Sequence, residues 1–186
     1  MQPKPIVYVF IDASNLWQAQ KAKGKFLDYE KLKLYLKEKC SAQDISIYYY
    51  TAYPKEGTRD YSLDGKHKFL TYLKKGLGVI VRKKELKRIR TQSEGGDYIT
   101  EKGNMDVEIT IDAVHTVQKY DIAVLFTGDS DFLSLIKYIK SRDKKVYIYS
   151  SYNNISSELR TMAHEYIDIL DLDYDIWGRK LEHRKK

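Results

Sequence analysis

The chain has 186 residues, enough for one well-buried domain and short for two, with 33 Lys and Arg against 26 Asp and Glu and a net charge of +7. No run of about eighteen apolar residues and no basic-then-apolar leader occurs, so the sequence predicts a soluble, cytoplasmic protein without a membrane partner. Cys40 is the single cysteine, which excludes an internal disulfide and a cysteine-based zinc site and predicts a packed, inert thiol.

The first predicted strand is IVYVFI at 6–11, six apolar residues of high strand propensity ending at Asp12. Ser14 or Asn15 can cap the helix that follows at 16–22, and the Asn15 amide can hold the Asp12 carboxylate. Gly24 breaks that helix. Residues 28–40 place Tyr29, Leu32, Leu36 and Cys40 at spacings of three and four, an amphipathic helix with Asp28 as its N-cap. A tyrosine-rich strand at 45–52, expected near a sheet edge, a loop at 54–60, a helix at 64–75 and a third strand at 77–81 establish β-α alternation.

Residues 82–104 interrupt this rhythm with a polar, basic insertion expected as a long functional loop. From Lys66 to Lys102 there are eleven basic and four acidic residues, an excess equal to the net charge of the whole chain. Lys83, Lys84, Lys87, Arg88, Arg90 and Lys102 are the candidates for contacting a polyanion. The same run also fits a merely solvated face, and the seventeen tyrosines fit strand and core positions as well as base-stacking surfaces.

A strongly apolar helix at 106–117, expected to be buried, opens with Asp106. The next segment is LFTGDSDF at 125–132. A continuous apolar run from Ile122 reads as a strand buried on both faces of a parallel sheet, and Gly128 then lets the chain turn into Asp129 and Asp131. Asp129 or Ser130 can cap the helix at 132–141, while Asp129 and Asp131 can stand where open α/β sheets bind ligands, and both readings fit. A strand at 146–150, a helix at 156–165 and a last short strand at 167–172 follow. The sheet is expected to hold about five strands, with the domain spanning 1–177 and a charged, frayed tail at 178–186.

Asp12, Asp106 and Asp129 with Asp131 thus arrive from three elements at one predicted sheet edge. Crowded carboxylates repel unless a hard cation neutralises them, and Mg²⁺ or Mn²⁺ is the expected ion. Such a site suits phosphodiester hydrolysis without a protein nucleophile. The four histidines lie far apart and follow no zinc pattern. Asp112 lies about 240° around the helix from Asp106 and is expected to act structurally. Lys102 fits either a phosphate contact or an exposed side chain.

The segments VFIDASNLW, KGNMDVEITIDAV and LFTGDSDFLSLIKYIKSRDKKVYIYS together resemble, in order, the signature blocks of the NYN domain family of PIN-like ribonucleases. The resemblance implies a Rossmann-like, three-layer PIN-type α/β fold with a mainly parallel sheet. It also implies metal-dependent RNA cleavage at a centre made by Asp12, Asp106 and Asp129, supported by Asp131 and Asn15. Two positions depart from the family pattern: Ala13 stands where Gly is common, and Asn104–Met105 sets Lys102–Gly103 one residue farther from the helix aspartate. RNA is the expected partner, single-stranded DNA the alternative, and a homo-oligomer stays open. The competing readings are a non-catalytic RNA-binding module of the same fold, a haloacid-dehalogenase-like phosphatase, which wants an Asp where Ser14 stands, and a receiver domain, which gives no reason for the basic insertion.

Overall fold

A computed structural model of the chain describes residues 3–59, 62–93 and 96–181. The apolar run expected to form the first strand does so as β1 (Ile6–Asp12), and its alternation sorts the core. Val7, Val9 and Ile11 face one side of the sheet, while Phe10 faces the other. On the first side lie α1 (Ala13–Lys23), α2 (Tyr29–Lys39) and α3 (Asp64–Thr71), through Leu16, Leu32, Leu36 and Leu70. The other side is covered by α4 (Asp106–His115), α5 (Leu133–Lys140) and α6 (Ser157–Met162), through Ile109, Ile136 and Leu159. This gives the three layers of a doubly wound α/β domain.

The remaining strands are β2 (Lys25–Leu27), β3 (Asp44–Tyr53), β4 (Ile80–Glu85), β5 (Lys87–Ser93), β6 (Gly96–Lys102), β7 (Ile122–Phe126), β8 (Lys145–Ser150), β9 (Glu165–Asp168) and β10 (Trp177–Lys180). The main sheet is parallel, with six strands in the order β4-β3-β1-β7-β8-β9, one more than expected. The last short strand, expected at 167–172, is β9 at the edge, displaced toward the N-terminus because Asp168 caps a 3₁₀ turn over Ile169–Asp171. β3 lies next to the edge strand β4, near the edge as expected, and its Tyr48, Tyr49 and Tyr50 are buried. Every residue of β7 is buried.

The chain leaves β1 toward β3 on one side and returns to β7 on the other, so the strand order reverses between β1 and β7. Ile11 pairs with Phe126, which brings the two strands to the same level just before Asp12 and Thr127. Such a switch point opens a crevice at the carboxyl ends of its strands.

Three expectations need correction. The basic insertion is not a loop: β4 extends through Glu85, and β5 and β6 form an antiparallel ribbon from Lys87–Lys102 to Ser93–Gly96. At its return, Gly103 fits because a Cβ there would lie 2.3 Å from Leu86 Cδ2 and 2.5 Å from Ala52 Cβ. Helix α4 is buried on one face only, since Val107 and Ile111 are 67% and 61% exposed. The segment expected to fray from Gly178 instead enters β10, which pairs with β2, and the Leu181 amide donates to the Gly24 carbonyl. Residues 182–186 of that tail lie outside the described residues. Among the described residues no helix is long and apolar enough to cross a membrane.

Candidate metal centre and nucleic-acid interface

Asp12 ends β1 and caps α1. Its Oδ1 accepts from the Ser14 amide at 2.8 Å, and the Ser14 hydroxyl donates to Oδ1 at 2.8 Å and Oδ2 at 3.0 Å. Ser14 and the backbone N–H of Asn15, not the Asn15 side chain, therefore hold this carboxylate. The Asn15 side-chain oxygen instead accepts from Ser150 Oγ at 3.4 Å, which ties the start of α1 to the end of β8. Burial pushes the Asp12 carboxyl above its ordinary value, the Ser14 hydrogen bonds pull it back, and the Asp129 charge adds to the rise.

Asp129 follows β7 by three residues and caps the turn that comes next. Its Oδ1 accepts from the Asp131 amide at 2.9 Å as the cap of a 3₁₀ turn, while its own amide donates to Thr127 Oγ1 at 3.2 Å. The turn depends on Gly128. A Cβ there would lie 2.1 Å from the Asn154 carbonyl oxygen and 2.7 Å from Ser150 Oγ, and the Gly128 carbonyl accepts from the Ser156 amide at 3.1 Å. The small residue in the motif thus lets the loop after β8 close over the acid-bearing loop.

Asp106 opens α4, and Asn104 fixes it. The Asn104 Oδ1 accepts from the Asp106 amide at 2.8 Å, and its Nδ2 donates to the Asp106 carboxylate. The residue that departs from the family spacing is therefore the one that orients the helix acid, and the only sequence signal for it is an Asn two positions before Asp106. Burial raises the Asp106 carboxyl, Asn104 opposes that, and the charges of Asp129, Asp12 and Asp131 raise it further.

One carboxylate oxygen from each of Asp106, Asp129 and Asp131 lies within 4.8 Å of the others. Opposite oxygens in an octahedral Mg²⁺ shell stand about 4 Å apart, so this all-oxygen donor set fits a hard divalent ion. Asp131 belongs to the close group, whereas Asp12 faces it from the β1 side and interacts through charge. Among the described residues, no Lys or Arg forms an ion pair with any of these four acids. Between Asp12 and Asp129 lies a crevice of about 330 Å³, with Asn15, Gln18, Thr127 and Asn154 also in its wall.

The basic candidates separate into two groups. Arg82 pairs with Asp112 at 2.9 and 3.2 Å, and Lys84 pairs with Glu108 at 2.8 and 3.0 Å, so both brace β4 against α4. Asp112 also accepts from the buried Tyr50 hydroxyl at 2.9 Å, the structural role expected for it. Arg88 lies 3.6 Å from Glu101, which Arg59 also engages. Lys83 sits 5.5 Å from the Tyr53 ring centroid. Lys87, Arg90 and Lys102 are exposed and have no acidic partner among the described residues. Lys87 and Lys102 are direct cross-strand neighbours, a like-charge pairing that destabilises a ribbon by itself.

A family model for the NYN domain matches residues 6–171. The low amplitude and bright protein LabA of Synechococcus elongatus is 32% identical over 168 residues, 88% of this chain and 83% of that protein. An uncharacterized protein of Methanocaldococcus jannaschii is 33% identical over 86 residues, 45% of this chain but 35% of its own length. A crystal structure of a protein of unknown function from Vibrio parahaemolyticus superposes with a TM-score of 0.70 at 25% identity, covering 96% of this chain and 100% of that one.

Proposed function

Since the chain belongs to the NYN domain family, we propose that it is a metal-dependent ribonuclease hydrolysing phosphodiester bonds of RNA. The family is generally one of nucleases that use divalent metals. The observation that carries the reading is the group formed by Asp106, Asp129 and Asp131, facing Asp12 and without a cationic partner among the described residues. Asp106, Asp129 and Asp131 would hold Mg²⁺ or Mn²⁺, and Asp12 would add negative charge from the β1 side. When bound, such an ion stabilises charge on phosphoryl oxygens and acidifies water. Asn104 keeps the Asp106 carboxylate aimed into the group, and the Thr127 hydroxyl fixes the backbone from which Asp129 projects. Lys102, four residues before Asp106, and its neighbour Lys87 would receive the phosphate backbone, which relieves their mutual repulsion.

The exposed lysines would serve a non-catalytic RNA-binding module of the same fold equally well. Incubating the purified protein with RNA in Mn²⁺, Mg²⁺ or EDTA, beside Asp129→Asn, separates the two. Cleavage that needs the metal and Asp129 is the expected result. RNA binding without cleavage in either metal assigns the chain to the binding module.

A further inference from the structure

The crevice beside the acid group has a wall that the chemistry of phosphate hydrolysis does not use. Three side chains carrying amide groups line it beside Asp12 and Asp129: Asn15 and Gln18 from α1, and Asn154 from the loop between β8 and α6. The Asn15 oxygen is engaged by Ser150, which leaves its NH₂ group as a donor. No hydrogen bond of the Gln18 or Asn154 side chain occurs among the described residues, and both are exposed at the crevice.

The loop that presents Asn154 is held in place. Its Asn154 amide donates to the Ser151 carbonyl at 2.9 Å, the Tyr152 amide donates to Asp168 at 3.1 Å, and the Ser156 amide donates to the Gly128 carbonyl. The absent side chain of Gly128 is what lets the loop lie against the acid-bearing turn. Two residues before Asn154, the Tyr152 side chain is 63% exposed, and the Arg160 guanidinium lies 5.5 Å from its ring centroid. An exposed aromatic ring beside an Arg is a platform on which any unpaired base can stack.

We propose that this crevice is a base-reading subsite for single-stranded RNA, in which Asn15, Gln18 and Asn154 hold the edge of one nucleobase and Tyr152 stacks the next. The inference rests on the ribonuclease reading for the position of the scissile phosphate, but its recognition chemistry is independent of hydrolysis. Amides offer paired donors and acceptors that match base edges, and those edges are open only when the base is unpaired. A volume of about 330 Å³ lies in the range of small-ligand sites and suits a single base.

The test is fluorescence anisotropy with short labelled RNA homopolymers and an RNA duplex, in EDTA and in Mn²⁺, using the parent, Gln18→Ala, Asn154→Ala and Tyr152→Ala. Thermal melts establish that each variant is folded. The parent is expected to prefer one homopolymer by about fivefold or more. Gln18→Ala and Asn154→Ala should flatten that preference, and Tyr152→Ala should weaken every single-stranded RNA by about tenfold. Binding that is indifferent to base and unchanged in all three variants overturns the subsite, as does tighter binding of the duplex or no binding of single strands in either condition. Selective binding without cleavage keeps the subsite and removes the nuclease reading; metal-dependent cleavage with unselective, variant-insensitive binding does the reverse. Equal preference for the matching DNA strand overturns the restriction to RNA.

Discussion

The acid-lined crevice and the basic hairpin are both dense in charge, yet the charges are held in opposite ways. In and beside the crevice, four aspartates from three elements repel one another, and none has a Lys or Arg ion-pair partner among the described residues. At the hairpin and β4, Arg82, Lys84 and Arg88 have found acids within the fold, leaving Lys87, Arg90 and Lys102 outward. Charge density in a sequence therefore counts residues without saying which are already committed. The acid group has no cationic partner among the described residues, whereas two of the six basic candidates, Lys84 and Arg88, also brace α4 or the ribbon.

The first way to break this comparison is to remove one acid. Asp129→Asn and Asp106→Asn are each expected to lower metal-dependent RNA cleavage by at least about a hundredfold while the fold persists, because Asn loses the charge but keeps an acceptor oxygen for the cap at Asp129 and for Asn104 at Asp106. Asp12→Asn should have a smaller effect than Asp131→Asn, since Asp131 lies in the close group and Asp12 is engaged by Ser14. Cleavage assays on the four variants check both statements, and the reverse order would return Asp12 to the direct ligands.

The second sharpens the hairpin side. Lys87→Ser with Lys102→Ser should weaken RNA binding about tenfold at moderate salt and lower the slope of log affinity against log salt by roughly 1.5, as two phosphate contacts are lost. Lys84→Ser with Arg88→Ser should change the slope less and lower the melting temperature more, because those side chains support the protein itself. Salt titrations and melts on both pairs measure the contrast. Equal slopes would mean that internal pairing does not determine which basic residues meet RNA.

Gly128→Ala tests the link between the acid-bearing turn and the loop after β8. With a Cβ 2.1 Å from a carbonyl oxygen, something must shift, and overpacking of this kind costs about 1–3 kcal/mol, or roughly 2–10 °C in Tm. Calorimetry checks the loss, and an unchanged Tm would show that the loop yields freely.

The smallest expected effect is in pH. Asp12 and Asp106 are raised above their ordinary value of 3.8, so the folded protein holds protons that the unfolded chain has already released. The associated stability is complete below that value and is lost as pH rises through the raised folded values. In EDTA, Asp106→Asn should melt with the parent near pH 4 and a few degrees above it near pH 7. A saturating divalent ion should erase or reverse the difference.

Much of the architecture was legible because β1 and β7 are unbroken apolar runs, and α2 and its Asp28 cap follow helical spacing. The hairpin was hidden because none of its residues at 87–90 and 99–102 is buried to impose alternation, so Lys87–Arg90 reads as loop. Three-residue β2 and four-residue β10 are too short to carry a pattern. In α4 the apolar residues Val107, Ile109 and Ile111 stand two apart, which places successive ones on different sides of a helix, and only Ile109 is buried. At the site, the acids stood out at strand and helix ends. Asn104, Gln18 and Asn154 did not, because an amide becomes a candidate only when folding brings it beside a partner far away in sequence.

The central claim is that the aspartates facing the crevice are held together for a divalent cation. Titration calorimetry of Mn²⁺ into the parent, Asp106→Asn and Asp129→Asn near pH 7 tests it without requiring a substrate. The account expects saturable binding in the parent, weakened at least about tenfold in each variant, with proton release on binding. No saturable binding in the parent, or equal affinity in all three proteins, would contradict it.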